Sequence, residues 1–426
     1  MKQNLLKLML IAIGLQLSFA SVAQGNIVPM PDGLYFAKKN GNICYFDGEK
    51  VVDTQISAGA HTFQLASWHG AIYGVDAGEQ FLYIKDENNS LGDGELFVVN
   101  KRSDNSFTKT TIVNNKYQDD GNVYHAGFDP YYIMIDNDSI YYATRTITNA
   151  GDNFYAGVKV FPAKEEYDAP CQASFDVPYF VRGQFLPYYN KGFAWGAMNA
   201  GLQRDSEGVY WHALGFNGEG IYRYKKSDIY EKIQDATNAD RPYPIIAQGI
   251  QPSAMFLDEK NGYIYIYNIT DGYNDITNCG VFRLPISAIN SNNYLRAWER
   301  IDESQAASES TTVTDGAFVR QFTSDGDYIY WAYIAEEGSG YKSGIKRVNA
   351  TGTPKVEYVV EDIEAYGICF YKYDGTLGVE DIQIENIYNT TEIGRYDIHG
   401  RQLSQPTTGI NIVKYSDGTT RKVIVK

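Results

Sequence analysis

The chain has 426 residues, a formal net charge of −15, 36 tyrosines, 40 glycines and 4 cysteines. An acid excess of this size is repelled by phosphate backbones and anionic lipid surfaces, which disfavours nucleic acid and the membrane surface and leaves glycans, small ligands, cations and basic proteins. Beyond the N-terminus no apolar segment has the period of a helix, so strands joined by turns must account for the composition.

Lys2 and Lys7 precede an apolar stretch from Leu8 to Ala20, followed by the small residues Ser21 and Ala23. This order of charge, apolar core and small residues is that of a secretory signal peptide, residues 1–23. The stretch is short for a bilayer span and no stop-transfer pattern follows, so the mature chain is expected to be secreted or displayed at the cell surface without membrane insertion. No cysteine stands at the cleavage point to accept a lipid.

A repeat then begins. Six times a turn rich in Gly, Asp and Asn leads to an aliphatic residue and a tyrosine: Leu34-Tyr35, Ile72-Tyr73, Ile140-Tyr141, Val209-Tyr210, Ile264-Tyr265 and Ile329-Tyr330. Each pair is followed by a glycine-led strand, starting at Gly41, Gly94, Gly157, Gly220, Gly280 and Gly344. Apolar strands precede the pairs at Thr62 to Ala66, Tyr131 to Ile135, Gly192 to Met198, Ser253 to Leu257 and Ala317 to Thr323, and fourth strands follow at Thr110 to Val113, Ala173 to Val177, Tyr243 to Ala247, Ala297 to Ile301 and Val356 to Val360. Four short antiparallel strands form a propeller blade, and a unit that cannot bury both its faces must stack on its neighbours. The first copy has no room for an inner strand, whereas Glu364 to Tyr371 supplies a lone one. Joining the two closes the ring, so residues 24–376 are expected to form an all-β, six-bladed β-propeller.

Gly326-Asp327-Tyr328-Ile329-Tyr330-Trp331, with Gly344 to Asn349 and Gly352 beyond, resembles the YWTD-type six-bladed propellers, although Ala332-Tyr333 replaces the Thr-Asp half of that signature. The resemblance implies the blade count and transfers no receptor role. Spacing around Ser206 to Trp211 and Ser324 to Trp331 does not fit the Asp boxes of sialidases. From Leu377 the texture changes. Tyr396 to Leu403, Gly409 to Lys414 and Arg421 to Lys426 resemble the C-terminal sorting domains of type IX secretion substrates. That likeness implies a small β-sandwich, residues 377–426, read by a secretion machinery in the outer membrane.

Four cysteines, Cys44, Cys171, Cys279 and Cys369, allow three pairings in an oxidising compartment, though their place in or beside strands favours buried thiols. Cys44 with Cys369 is the pairing to test, because both lie where the chain ends meet.

Binding sites on propellers are usually built by loops on a rigid scaffold. Here the connections between second and third strands are long and uneven: Gly74 to Asp93, Thr144 to Ala156, Ala213 to Glu219, Asn268 to Cys279 and Tyr333 to Ser343. They carry Phe81, Tyr83, Tyr155, Phe216, Tyr273, Tyr333 and Tyr341, while the blade-to-blade loops add Arg182, Tyr188 and Tyr189. Rings beside amides and carboxylates suit a sugar, whose C–H faces stack and whose hydroxyls need polar partners. Ordinary loop packing uses the same residues.

His61 and His125 each open an inner strand in adjacent blades, where Asp119 or Asp120 would complete a transition-metal site. His69, His212 and His399 lack companions at metal-ligand spacing. Asp86 to Gly92 starts like an EF-hand loop, but Leu91 takes the glycine position and Phe97 the bidentate glutamate position, which leaves only an irregular structural calcium site. No cofactor is indicated. With no G-x-S-x-G, H-E-x-x-H or phosphate-loop pattern, the sequence points to a non-catalytic binder of a glycan or extracellular protein. A polysaccharide lyase or glycoside hydrolase whose acids come from separate blades is the alternative, and capture of a metal complex or small nutrient is a third reading.

Overall fold

The computed structural model describes residues 26–59, 61–76, 94–114, 124–125, 132–136, 138–148, 154–164, 167, 180–181, 199–214, 220–225, 245–246, 250, 252–268, 280–289, 297–303, 319–335, 340–374, 392–397, 401–415 and 420–425. The chain separates into two compact units, residues 1–378 and 379–426. Among the described residues no helix is long and apolar enough to cross a membrane.

Six small antiparallel sheets make up the described part of the larger unit. Sheet one joins Ala365–Tyr371 to Gly33–Lys38, Asn42–Phe46 and Val51–Ser57. Sheet two contains Thr62–Trp68, Ala71–Asp76, Glu95–Arg102 and Phe107–Asn114, with Ile27–Val28 on the end of its third strand. Sheet three runs Tyr132–Asp136, Ser139–Thr148, Phe154–Pro162 and Phe180–Val181, with Tyr124–His125 against the end of Ser139–Thr148. Sheet four has Asn199–Arg204, Val209–Leu214 and Gly220–Lys225. Sheet five has Pro252–Asp258, Tyr263–Asn268, Gly280–Pro285 and Glu299–Asp302, and sheet six Phe322–Ser324, Tyr328–Tyr333, Gly344–Asn349 and Val356–Glu361.

The innermost strands touch in order around a circuit, from Ala365–Tyr371 to Thr62–Trp68, Tyr132–Asp136, Asn199–Arg204, Pro252–Asp258, Phe322–Ser324 and back to Ala365–Tyr371. This is a propeller arrangement. Closure comes from the C-terminal strand, with Gly33 opposite Tyr371 and Tyr35 opposite Cys369.

Five complete blades replace the six expected. Sheet four has three strands among the described residues, and the fourth strand expected at Tyr243 to Ala247 contributes one bridge, Ile221 to Ile246. Pro244 lies in that segment and Pro242 just before it, and neither has the N–H a ladder needs. The inner strand expected at Gly192 to Met198 lies outside the described residues, and sheet four begins instead at Asn199.

The aliphatic-tyrosine pairs are the stacking core. Neighbouring residues of a strand face opposite sides, so each pair reaches into two junctions. Tyr35 packs with Ile72 of the next sheet, Tyr73 with Ile140, Tyr265 with Ile329, and Tyr330 with Leu34, which carries the pattern through the closure. In sheet four the pattern is displaced by one residue: Trp211, not Tyr210, packs with Ile264. Tyr330 and Trp331 are both buried and face opposite junctions.

The leading glycines answer to a shared irregularity. In sheets one, two, five and six the pairing of third and fourth strands shifts register near the start of the third strand, at Ile43/Cys44, Leu96/Phe97, Val281/Phe282 and Ile345/Lys346. Such bulges bend the strand and leave a residue unpaired, and the outer strand runs close to the leading glycine there. A Cβ at Gly280 or Gly344 would run into the carbonyl oxygen of Asp302 or Val360.

Cys44 and Cys369 are free, buried thiols. This agrees with the buried thiols that the sequence favoured, and the pairing set out for test is ruled out by register: Cys369 stands opposite Tyr35 and Cys44 opposite Phe36, so the two thiols face opposite sides of the sheet. With another strand between them they are also about two strand spacings, roughly 9 Å, apart, beyond disulfide reach. Cys171 and Cys279 lie outside the described residues.

Among the described residues the smaller unit shows a three-stranded sheet, Glu392–Tyr396, Gly409–Tyr415 and Thr420–Val425, within the span expected to form a small β-sandwich. Its Asp397 carboxylate accepts from the Arg401 backbone N–H at 2.9 Å and from Arg401 Nε at 2.7 Å, which closes the turn after Tyr396. Asn411 is fully buried and bonds both backbone groups of Thr407.

Candidate functional site

Adjacent inner strands belong to different sheets and share no ladder, so their backbone groups need other partners. Side-chain amides and hydroxyls supply them. Gln321 Oε1 accepts from the N–H groups of Leu65 at 2.8 Å and Ile368 at 2.9 Å, and its Nε2 donates to the Leu65 carbonyl at 2.5 Å. Gln64 Nε2 donates to the Arg320 carbonyl at 2.9 Å, Thr323 Oγ1 accepts from Phe370 N–H at 2.9 Å, and Gln203 accepts from Leu257 N–H. These bonds stitch the inner strands around a central cavity of about 210 Å³ to which all six sheets contribute. Three repeats carry a glutamine on or beside the inner strand, a polar residue inside an apolar run, and that signal went unused in the sequence reading.

The two ends of the channel differ. At one end lie the tight turns leading to the second strands, capped by carboxylates: Asp205 accepts from Val209 N–H at 2.8 Å, Asp258 from Asn261 N–H at 3.2 Å and Asp325 from Tyr328 N–H at 2.7 Å. At the other end the inner strands begin and the second strands finish, as the Thr62–Asp76 and Phe322–Trp331 pairings show. The long connections therefore leave from the end where the inner strands start.

Sheets one, two and six assemble a cluster there. The Phe63 and Tyr366 rings meet edge to face at 5.2 Å, the half-buried His61 ring lies 5.5 Å from Phe63 and 6.0 Å from Tyr366, and the Arg320 guanidinium sits 4.5 Å above the Phe63 ring. Phe63, Tyr366 and Arg320 are 2, 3 and 6 % exposed, so the guanidinium is packed among buried rings, and of these residues Arg320 borders the cavity.

The structure sorts the sequence candidates. Tyr341 is exposed on the connection that follows sheet six's second strand. Tyr333 is corrected: it ends the strand Tyr328–Tyr333 fully buried, on the same side as Ile329 and Trp331, with Lys346 Nζ 4.6 Å from its ring centre. Strand alternation places it in the core. Tyr155 is corrected as a loop residue, because the connection expected from Thr144 to Ala156 is mostly ladder, with Thr146 opposite Tyr155 and Ile147 opposite Phe154. Thr144, Thr146, Ile147 and Thr148 are β-branched and favour a strand. Phe81, Tyr83, Arg182, Tyr188, Tyr189, Phe216 and Tyr273 lie outside the described residues, as do the Asp86 to Gly92 loop and Asp119 and Asp120.

His125 belongs to the short strand Tyr124–His125, opposite Ile147, rather than opening the inner strand Tyr132–Asp136. His61 precedes its inner strand as expected, with its backbone N–H bonded to Asp76 at 2.8 Å. Among the described residues no group of three or more His, Cys, Asp or Glu is arranged to hold a metal ion. His69 has companions that the sequence did not reveal: its Nε2 and Nδ1 lie 3.7 Å from Asp138 and 3.9 Å from Asp374. His212 is fully buried, and desolvation pushes its imidazole down to about 3.

No family model matches the chain, and no curated protein does. Among solved structures it is similar to a protein of unknown function from Bacteroides caccae, at 11 % identity and a TM-score of 0.36, covering 80 % of this chain and 100 % of that one. It is also similar to an endo-arabinase from Bacteroides thetaiotaomicron, at 13 % identity and a TM-score of 0.33, covering 74 % and 96 %. At these values neither likeness extends to any residue or activity of this chain.

Proposed function

We propose that this chain is an exported, non-catalytic binding protein that takes a glycan on the channel end where the inner strands begin. The observation carrying the reading is an exposed tyrosine, Tyr341, on a connection that leaves from the same end as the His61–Phe63–Tyr366–Arg320 cluster. Rings for sugar faces and fixed polar donors are what such a surface requires. Residues 379–426 act in this reading as the address for surface delivery, in keeping with the three tail motifs.

The test is a glycan array with the purified protein, repeated with Tyr341→Ala. Glycans are expected to bind, and the variant to bind about three- to tenfold more weakly, the range of one aromatic contact. Glycan binding untouched by Tyr341→Ala and abolished by changes at the Asp205, Asp258 and Asp325 turns would place the site at the wrong end. Capture of a protein with no glycan bound would replace the ligand.

A further inference from the structure

We propose that His69 is a pH-sensitive clasp on the strand that closes the ring, engaged as an imidazolium and released as the ring loses its proton. The closing strand Ala365–Tyr371 is anchored beyond both of its ends. At its start Glu364 is tied to Lys39, whose Nζ lies 3.5 Å from the carboxylate and whose backbone N–H donates to the Glu364 carbonyl at 2.9 Å. Lysines ordinarily stay charged across the range, roughly pH 5 to 8, in which imidazoles titrate. Past the other end the Tyr373 N–H donates to Asp32 at 2.8 Å, and the Asp374 carboxylate lies 3.9 Å from His69 Nδ1. Only the histidine anchor of these two ion pairs can be switched near neutral pH.

The geometry around His69 suits the charged form. Nε2 lies 3.7 Å from Asp138, in the turn of sheet three, while Nδ1 faces Asp374. A neutral imidazole carries one N–H and turns a lone pair outward from its other nitrogen, so it attracts one carboxylate and repels the other. An imidazolium has an N–H on each nitrogen and attracts both. From its own hairpin the ring meets an uncharged group, Trp68, with centroids 4.3 Å apart. The backbone fixes the ring between its neighbours: His69 stands in the turn between Trp68 and Ala71 with φ at 44°, a left-handed conformation that residues other than glycine seldom adopt. One titratable side chain thus joins sheet two to sheet three and to the end of the closing strand. Aspartates are ordinarily ionised above about pH 5, so the clasp holds best near pH 6 and is lost as pH rises through the imidazole range. The carboxylates are 79 and 61 % exposed, so the effect is modest and screened by salt.

The experiment is hydrogen exchange of the full protein at about pH 6 and pH 8, read by mass spectrometry on the closing strand and on Pro252–Asp258 of sheet five. Dividing the first rate by the second removes the intrinsic pH dependence of exchange and any change in global stability. The ratio is expected to be about two- to fivefold higher at pH 8 than at pH 6, the range of exposed ion pairs, and added salt should shrink that difference. His69→Asn, whose short polar side chain tolerates the same φ, should give the native pH 8 ratio at both pH values. Asp374→Asn should reduce the pH difference. An equal ratio at the two pH values in the native protein would overturn the proposal without any variant. A pH difference that survives His69→Asn in a folded protein would overturn the assignment to His69, as would an equal loss of protection at both pH values. A difference untouched by Asp374→Asn would overturn the link to the closing strand. None of these outcomes depends on the glycan reading, which sugar binding tests separately.

Discussion

The two ends of the propeller channel are built from different kinds of residue. At the turn end the same device recurs, a carboxylate that caps a tight turn, in Asp205, Asp258 and Asp325. At the opposite end no such device recurs among the described residues: His61, Phe63, Tyr366 and Arg320 come from three sheets and form one cluster. Repetition therefore marks what every sheet needs in order to stack. Its interruption marks the end at which the proposed glycan would be read.

Substitutions at the two ends should separate stability from binding. Trp331→Ala, which removes a fully buried ring from the junction of sheets five and six, should cost about 3–5 kcal/mol in guanidinium unfolding. Asp325→Ala removes the acceptor for Asp327 and Tyr328 N–H and for Tyr330 O–H at 2.6 Å, and should cost about 1–3 kcal/mol while sugar affinity of the folded protein stays unchanged. A change in sugar affinity with Asp325→Ala would erase the distinction between the ends.

A smaller effect concerns the thiols at the closure. Burial first, and then the Asp53 charge, push the Cys44 thiol up to about 11, and burial pushes Cys369 higher still. A raised acid favours the protonated form in the folded state. The stabilisation is thus complete below the ordinary thiol value and is lost as pH rises through about 11. Iodoacetamide at pH 8 should leave both native thiols unmodified, and fast alkylation of Cys44 would show that the closed sheet opens.

Much of this architecture could be read from the chain before any coordinates. The turn, the aliphatic-tyrosine pair and the leading glycine each have a local cause, so they show themselves as repeating residue types. The lone strand at Glu364 to Tyr371 was legible because its partners were missing. What escaped the sequence depended on phase. A displacement of one residue in sheet four exchanges Tyr210 for Trp211 without altering the look of the segment, and Tyr333 reads as a loop tyrosine until strand alternation is extended two residues past Trp331. The Arg320 cluster escaped for another reason. Its members are separated by up to 305 positions, Tyr366 from His61, and only the circuit of inner strands brings them together.

The pairing of Gly33–Lys38 with Ala365–Tyr371 also sets a timetable. The first three strands of sheet one leave the ribosome more than 300 residues before the strand that completes them, and until then they present a bare hydrogen-bonding edge. Contacts this distant in sequence make folding slow, because the loop must close before the pairing rewards it. The propeller is consequently finished last at its beginning, and its ring cannot shut until nearly all of the chain has been made.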